Sequence, residues 1–158
     1  MNEPQKRISD KALSVWRITG AMTSVSVMLM AGGVIWLSNV FSWPAWVVIA
    51  AVAAIILHVY LYVYLFPLLR WKRWRYEVRE QEIELQQGVF VVKRTLVPMI
   101  RVQHVDTRQG PLLKKYGLAT VDVSTAATVH EIPALPMEEA EELRQFISRL
   151  ARVADEDV

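Results

Sequence analysis

The feature that most constrains this chain is a long stretch without charge. Between Ile18 and Leu69 the sequence has no Lys, Arg, Asp or Glu, although charged residues make up 22% of the chain. A soluble protein of 158 residues would not leave so long a run uncharged, because its helices need a polar face toward water. The stretch therefore predicts segments that cross a membrane.

Two spans fit into this stretch. Residues 18–41 form the first, and at about 1.5 Å per residue such a helix reaches roughly 36 Å, more than the ~30 Å hydrocarbon core. Residues 45–69 form the second, and residues 42–44 form a short turn because Ser42 and Pro44 favour chain reversal. The helices are then antiparallel. A cleaved signal peptide is disfavoured, because the first apolar run exceeds the about 7–15 residues of a signal-peptide core.

Basic residues flank both ends of the uncharged stretch and are missing from its tip. They are Lys6, Arg7, Lys11 and Arg17 before it, and Arg70, Lys72, Arg73 and Arg75 after it. By the positive-inside rule, both termini are expected in the cytoplasm, with the chain in the cell membrane as a multi-pass protein. Trp16, Trp71 and Trp74 are expected to mark the inner membrane interface, where aromatic residues gather.

Small residues predict where the two helices pack. In lipid, small side chains let helix backbones approach closely. Van der Waals packing, rather than the hydrophobic effect, then drives the association of the helices. A turn centred near residue 43 places two glycines opposite two alanines, and we predict the closest crossing there. These residues are Gly32, Gly33, Ala53 and Ala54. Gly20 and Ser24 form a second small pair, suited to a partner helix.

His58 is the polar residue of the second span that most invites a functional interpretation. Ionisable groups within membranes are functional candidates. A proton or ion pathway normally needs more than one such group, however, and neither span contains a carboxylate. We favour a structural role, a hydrogen bond across to Ser24 or Ser26, over transport.

The remaining residues divide into a short N-terminal segment and a region long enough for one small domain. Residues 1–17 are interpreted as a cytoplasmic basic segment with a brief interfacial helix from Ser9 to Arg17. Residues 70–153 show strand periodicity, then helical periodicity from Met137 to Val153, and residues 154–158 form a polar tail. Strands are predicted at 76–78, 82–85, 89–97, 101–109, 119–124 and 129–132. The pattern predicts a membrane α-helical hairpin plus a mainly-β barrel or sandwich capped by a C-terminal helix.

Three short blocks resemble a known family. Val97–Asp106 has the sequence VPMIRVQHVD, Gln109–Leu112 has QGPL and Tyr116–Ala119 has YGLA. These blocks resemble the bacterial PH-like domain of the YdbS-like membrane proteins. The family-motif residues are Pro98, Gln103, His104, Gly110, Pro111 and Gly117, which we expect to be structural, with the last three supplying turn angles. The resemblance implies a PH-like fold at the cytoplasmic membrane face, and it implies no catalytic residues.

The motif residues do not assemble a recognisable catalytic or metal site. His104 and Asp106 point to the same face of a strand, but catalysis would also need a nucleophile or a metal. His130 is the only other histidine after the second span, and the chain has no cysteine, so a zinc site lacks ligands. We expect no enzyme activity, no metal and no cofactor.

Charge limits the partners. From Arg70 onward the chain has 14 basic and 14 acidic residues, so nucleic acid is disfavoured. The four basic residues after the second span are candidate contacts to anionic lipid, each worth about 1 kcal/mol. We expect a non-enzymatic integral membrane protein whose PH-like module binds another membrane protein or its own copies. Recognition of a lipid headgroup or a membrane-derived small molecule is the alternative, and activity centred on His58 or His104 ranks last.

Overall fold

The computed structural model describes residues 4–156 and divides the chain into two compact units. The first, called the hairpin below, is Trp16–Leu69. The second, called the module, combines the N-terminal residues through Val15 with those from Arg70 onward.

Helix α1 (Lys11–Val40) provides the first arm of the hairpin. The second arm consists of α2 (Ala45–Val59), a π-helical segment (Tyr60–Leu65) and α3 (Phe66–Arg73). By length and composition, Lys11–Val40 and Ala45–Arg73 are each long and apolar enough to cross a membrane. None of the most apolar window of the second helix is buried, which is the opposite of a core helix in a soluble protein.

The more buried residues of the hairpin follow one seam on each helix. On α1 they are Gly20, Ser24, Val27, Ala31, Ile35 and Ser38, and on the second helix they include Val48, Ala51, Ile55 and His58. Alternate spacings of three and four residues are typical of packed antiparallel helices. The two helices approach closely at Gly20, where an added Cβ would overlap the backbone carbonyl of Tyr62.

The predicted crossing at Gly32 and Gly33 against Ala53 and Ala54 is wrong. All four residues are exposed, and a Cβ added at either glycine would meet no atom within 4 Å. The glycines follow the seam residue Ala31 by one and two positions, and each residue turns a helix by about 100°. A small error in the assumed register therefore moved the prediction to the wrong face.

The first sheet of the module contains four antiparallel strands in the order β1-β2-β3-β4. They are β1 (Lys6–Arg7), β2 (Arg75–Val78), β3 (Glu82–Gln87) and β4 (Lys93–Pro98). Strand β1 pairs with β2, and Ile8 is buried. This pairing corrects the prediction that residues 1–17 form a separate interfacial segment, of which residues 1–3 lie outside the described part of the chain. Residues 89–92, predicted as strand, form a loop instead.

The second sheet contains three antiparallel strands in the order β5-β6-β7. They are β5 (Val102–Arg108), β6 (Leu118–Thr125) and β7 (Val129–Pro136). A 3-10 turn (Met99–Arg101) leads into β5, and a short helix, α4 (Pro111–Lys115), separates β5 from β6. The C-terminal helix α5 (Met137–Glu156) continues beyond Val153 into the predicted polar tail, whose last two residues lie outside the described range.

The core of the module lies between the two sheets and α5. Its fully buried side chains include Ile83, Met99, Leu118, Ile132, Leu135 and Ile147. Trp74 is also buried, so the prediction that it marks the membrane interface is wrong: it belongs to this core. The fold class is confirmed as two apolar helices, two antiparallel sheets and a C-terminal helix. In residues 4–156 the sheets form a sandwich and do not close into a barrel.

Candidate functional site

The glycines and the proline of the motif surround α4. Gly117 follows this helix with a φ of 66°, a conformation that glycine adopts at little cost. Its carbonyl oxygen accepts the N–H of Met137 at 3.1 Å, which joins α4 to the start of α5. Pro111 occupies the first turn of α4, where proline is favoured. Gly110 has a φ of −80°, which any residue adopts, so the prediction of a special backbone angle is wrong there.

Gln109 contributes to the same corner, although the sequence analysis did not count it among the site residues. Its side-chain amide donates to the carbonyl of Leu118 at 2.8 Å and lies 3.8 Å from the sulfur of Met137. The side chain thus connects the end of β5 to the starts of β6 and α5. Its position beside Gly110 in the QGPL block was the sequence signal that could have identified Gln109.

His104 and Asp106 lie side by side on β5, as their spacing predicted. His104 Nε2 is 3.5 Å from Asp106 Oδ2, and the two side chains are 62% and 67% exposed. In the described part of the chain, no group of three or more His, Asp or Glu side chains is placed to hold a metal ion. The structure therefore shows this pair as an exposed surface contact along β5.

A groove opens where the two sheets fail to close. Strand β4 pairs with β3 on one side and is the last strand of its sheet. Beside it lies a cavity of about 490 Å³. It is lined by Leu96, Val97, Pro98, Ile100, Arg101, Gln103, Thr125, Ala126, Ala127, Thr128 and His130. The structure therefore brings Pro98 and Gln103 together with His130 and separates them from the glycines at α4.

The groove is apolar with a basic margin. Leu96 and Ile100 are 54% and 51% exposed, which is unusual beside a core whose aliphatic residues are buried. Burial, and secondarily the charge of Lys93, lowers the pKa of His130, so this imidazole is neutral at pH 7. Arg101 is the charged residue among the lining side chains. The groove therefore suits an apolar ligand with a negative charge.

The four basic residues that follow the uncharged stretch, three at the end of α3 and one in β2, have different environments. Arg70 and Lys72 are exposed, whereas Arg73 and Arg75 are half-buried. Arg73 donates from Nη1 to the backbone carbonyls of Val89 and Phe90, the latter at 3.3 Å. Arg75 is the first residue of β2, so only part of this cluster is directed to the surface as the sequence predicted.

His58 lies in the hairpin seam but does not make the predicted bond. The Ser24 hydroxyl donates to the carbonyl of Gly20 at 2.8 Å, within its own helix. Nε2 of His58 is buried and has no hydrogen-bond partner among the described residues. The ring stacks on Tyr62 with 4.3 Å between centroids. The predicted hydrogen bond from His58 to Ser24 or Ser26 is therefore wrong, because the ring nitrogen Nε2 is buried without a partner among the described residues.

Comparisons with known proteins identify two relatives and a family. The transmembrane protein YdbS of Bacillus subtilis (strain 168) is 54% identical over 156 residues, covering 99% of this chain and 98% of that protein. The transmembrane protein YdbT of the same organism is 25% identical over 84 residues, covering 51% of this chain and 17% of that protein. No solved structure matches the chain. Residues 17–151 match the model of the bacterial PH domain, and the chain therefore belongs to this family.

Proposed function

We propose that this chain is a non-enzymatic membrane protein whose module binds an extended segment of a partner protein along β4. The open edge of β4 carries the proposal, because an unpaired strand edge can accept another strand through backbone hydrogen bonds. Leu96 and Ile100 would supply apolar contacts beside that edge. Arg101 favours a segment with a carboxylate. The partner is another membrane protein or a second copy of this chain.

The chemistry of the module supports binding rather than catalysis. Its only close His–Asp pair in the described residues is exposed. The groove is lined by aliphatic and small side chains together with Arg101, Gln103 and His130, and no carboxylate lies among them. A surface of this composition binds by excluding water from apolar contacts, and it offers no activated nucleophile.

Photo-crosslinking in native membranes tests the proposal. A photoreactive amino acid replaces Leu96 in one variant and Arg79 in a control, since Arg79 is exposed and outside the groove. We expect adducts with protein at position 96 and none at position 79. An added Arg101→Glu substitution should reduce the yield at 96 several-fold. Two copies with different tags distinguish self-association from a separate partner.

The same experiment weighs the alternative function, recognition of a lipid headgroup or a membrane-derived small molecule. The exposed side chains of Arg70 and Lys72, near the end of α3, favour this alternative. Adducts with phospholipid at position 96, in place of protein, would support it and contradict the strand-addition proposal. No adduct at position 96 would contradict both uses of the groove.

We also propose that both termini lie in the cytoplasm. The proposal is supported by the basic residues on both flanks of the hairpin and their absence from its tip. Reporter fusions at Asn39 and Val158 test it. An extracytoplasmic signal from the fusion at Val158 would contradict this orientation.

A further inference from the structure

The loop between β3 and β4, residues 88–92, exposes apolar side chains to an unusual degree. Phe90 and Val91 are 78% and 80% exposed, and Val92 is 47% exposed. The aliphatic side chains that begin and end the adjoining strands, such as Ile83 and Val97, are buried. Neighbouring exposed apolar side chains at a loop tip indicate a surface that contacts something other than water.

This apolar loop has a defined backbone conformation. Gly88 has a φ of 133°, and a Cβ there would overlap the carbonyl of Val91, so a glycine is required for the turn. The guanidinium of Arg73 donates to the carbonyls of Val89 and Phe90. These hydrogen bonds and the turn at Gly88 give the loop a fixed backbone path.

Arg73 also links the loop to the point at which the chain is expected to leave the membrane. It is the last residue of α3, the segment that ends the second apolar helix. At about 1.5 Å of rise per residue, Arg73 lies roughly 6 Å beyond Leu69. Because the uncharged stretch ends at Leu69, we expect Arg73, and with it the carbonyls that accept its hydrogen bonds, to lie close to the lipid headgroups.

The charges beside the loop match that position. Lys93 and Arg94 follow it directly and are exposed, and residues 86–96 contain no acidic side chain. Lys72 is exposed next to Arg73. An apolar tip flanked by basic residues is typical of segments that insert into the interface of a bilayer with anionic lipids.

We propose that residues 88–92 insert into the bilayer leaflet at which the second helix ends. Phe90 and Val91 enter the boundary between headgroups and acyl chains, and Lys93 and Arg94 contact anionic headgroups. The module is then held to the membrane at a second point, separate from the covalent connection through α3. This contact is independent of the groove beside β4.

Fluorescence quenching in the full-length protein tests the proposal. The chain has no cysteine, so Val91→Cys and Val153→Cys each create a single labelling position. Val153 is 51% exposed on α5 and serves as the matched control. Each labelled protein is reconstituted into vesicles of phosphatidylcholine and phosphatidylglycerol with brominated acyl chains. We expect quenching of the environment-sensitive label to be several-fold stronger at position 91 than at position 153.

Two further measurements separate insertion from a change in the loop. Phe90→Ser should reduce the quenching at position 91 several-fold and leave the circular dichroism spectrum unchanged, because the side chain is exposed. Lys93→Gln with Arg94→Gln, or vesicles without phosphatidylglycerol, should also reduce it. Equal, weak quenching at positions 91 and 153 would overturn the proposal. A label at 91 that is shielded from water but not quenched by brominated lipid would overturn it too, because the loop would then contact protein.

Discussion

The hairpin and the module place the same kinds of residue in opposite environments. Leu29 and Met30 of α1 are 74% and 75% exposed, whereas Ile132 and Leu135 of β7 are fully buried. The hairpin instead buries hydroxyl groups, with Ser24 and Ser38 only 3% and 4% exposed. Burial of apolar side chains is favourable when the alternative is water, and it gains little when the alternative is lipid. The solvent of each unit therefore decides which of its residues form the interior.

Truncation of leucine or methionine to alanine should show the largest difference in stability between the two units. Leu135→Ala leaves a cavity in the module and should lower its free energy of unfolding by about 2–5 kcal/mol. Met30→Ala, the matched change on the exposed face of α1, should cost less than about 0.5 kcal/mol. Denaturant titration of the full-length protein in detergent, with hydrogen exchange to localise the loss, measures both. Equal costs would mean that the two units do not differ in this way.

Glycine substitutions test the packing of the hairpin. Gly20→Leu places a side chain against the Tyr62 carbonyl and should destabilise the helix pair by about 1–3 kcal/mol, as overpacking does. Gly33→Leu should be nearly neutral, because an added Cβ there meets no atom within 4 Å. Unfolding by dodecyl sulfate in mixed micelles measures the difference. A larger cost for Gly33→Leu would restore the crossing predicted from the sequence.

Loss of a single hydroxyl tests how the C-terminal helix is held to the first sheet. Tyr76 is buried, and its O–H donates to Glu139 at 2.8 Å. Burial and this hydrogen bond raise the pKa of Tyr76 well above its usual value. Tyr76→Phe should lower the stability of the module by about 1 kcal/mol. Combining it with Glu139→Gln should cost less than the sum of the two single changes, and strict additivity would contradict the bond.

The smallest effect concerns pH and is confined to the surface of α5. The Arg144 guanidinium, and secondarily the Gln145 amide, lowers the pKa of Glu141 from 4.5 to about 2. A carboxyl group with a lower pKa in the folded state contributes stability above pH 4.5, and this contribution is lost as the pH falls toward 2. Glu141→Gln should flatten the pH dependence of the thermal midpoint in this window, and Glu142→Gln should retain it. The exposed position makes the change small.

Local patterns were sufficient for much of the fold. The absence of charge from Ile18 to Leu69 predicted the two apolar helices, because hydropathy is a property of each residue and needs no knowledge of its neighbours in space. Alternation predicted most of β6 and the first half of β7. The PH-like sandwich followed from the motif blocks rather than from periodicity.

Predictions that required knowing which residues contact each other in space were less successful. The register of the hairpin depends on the geometry of a few turn residues, and a small error there placed Gly32 and Gly33 on the seam, although they are exposed. The strand predicted over 89–97 was too long, because four apolar residues in a row favour a strand whether or not another strand pairs with them. Leu96 and Val97 are neighbours, yet only the sheet decides that the side chain of Leu96 is exposed and that of Val97 is buried.

By itself the sequence determined that this chain has an apolar helix pair, a β-rich module and the motifs of the bacterial PH domain family. Only the tertiary structure decided that Lys6 and Arg7 complete the first sheet, that Trp74 belongs to its core, and that residues 88–92 form an exposed loop beside Arg73. The physical reason is the range of the interactions. Hydropathy and periodicity act over a few neighbouring residues, whereas these contacts join residues far apart in the chain, whose pairing is selected by the packing of the whole module.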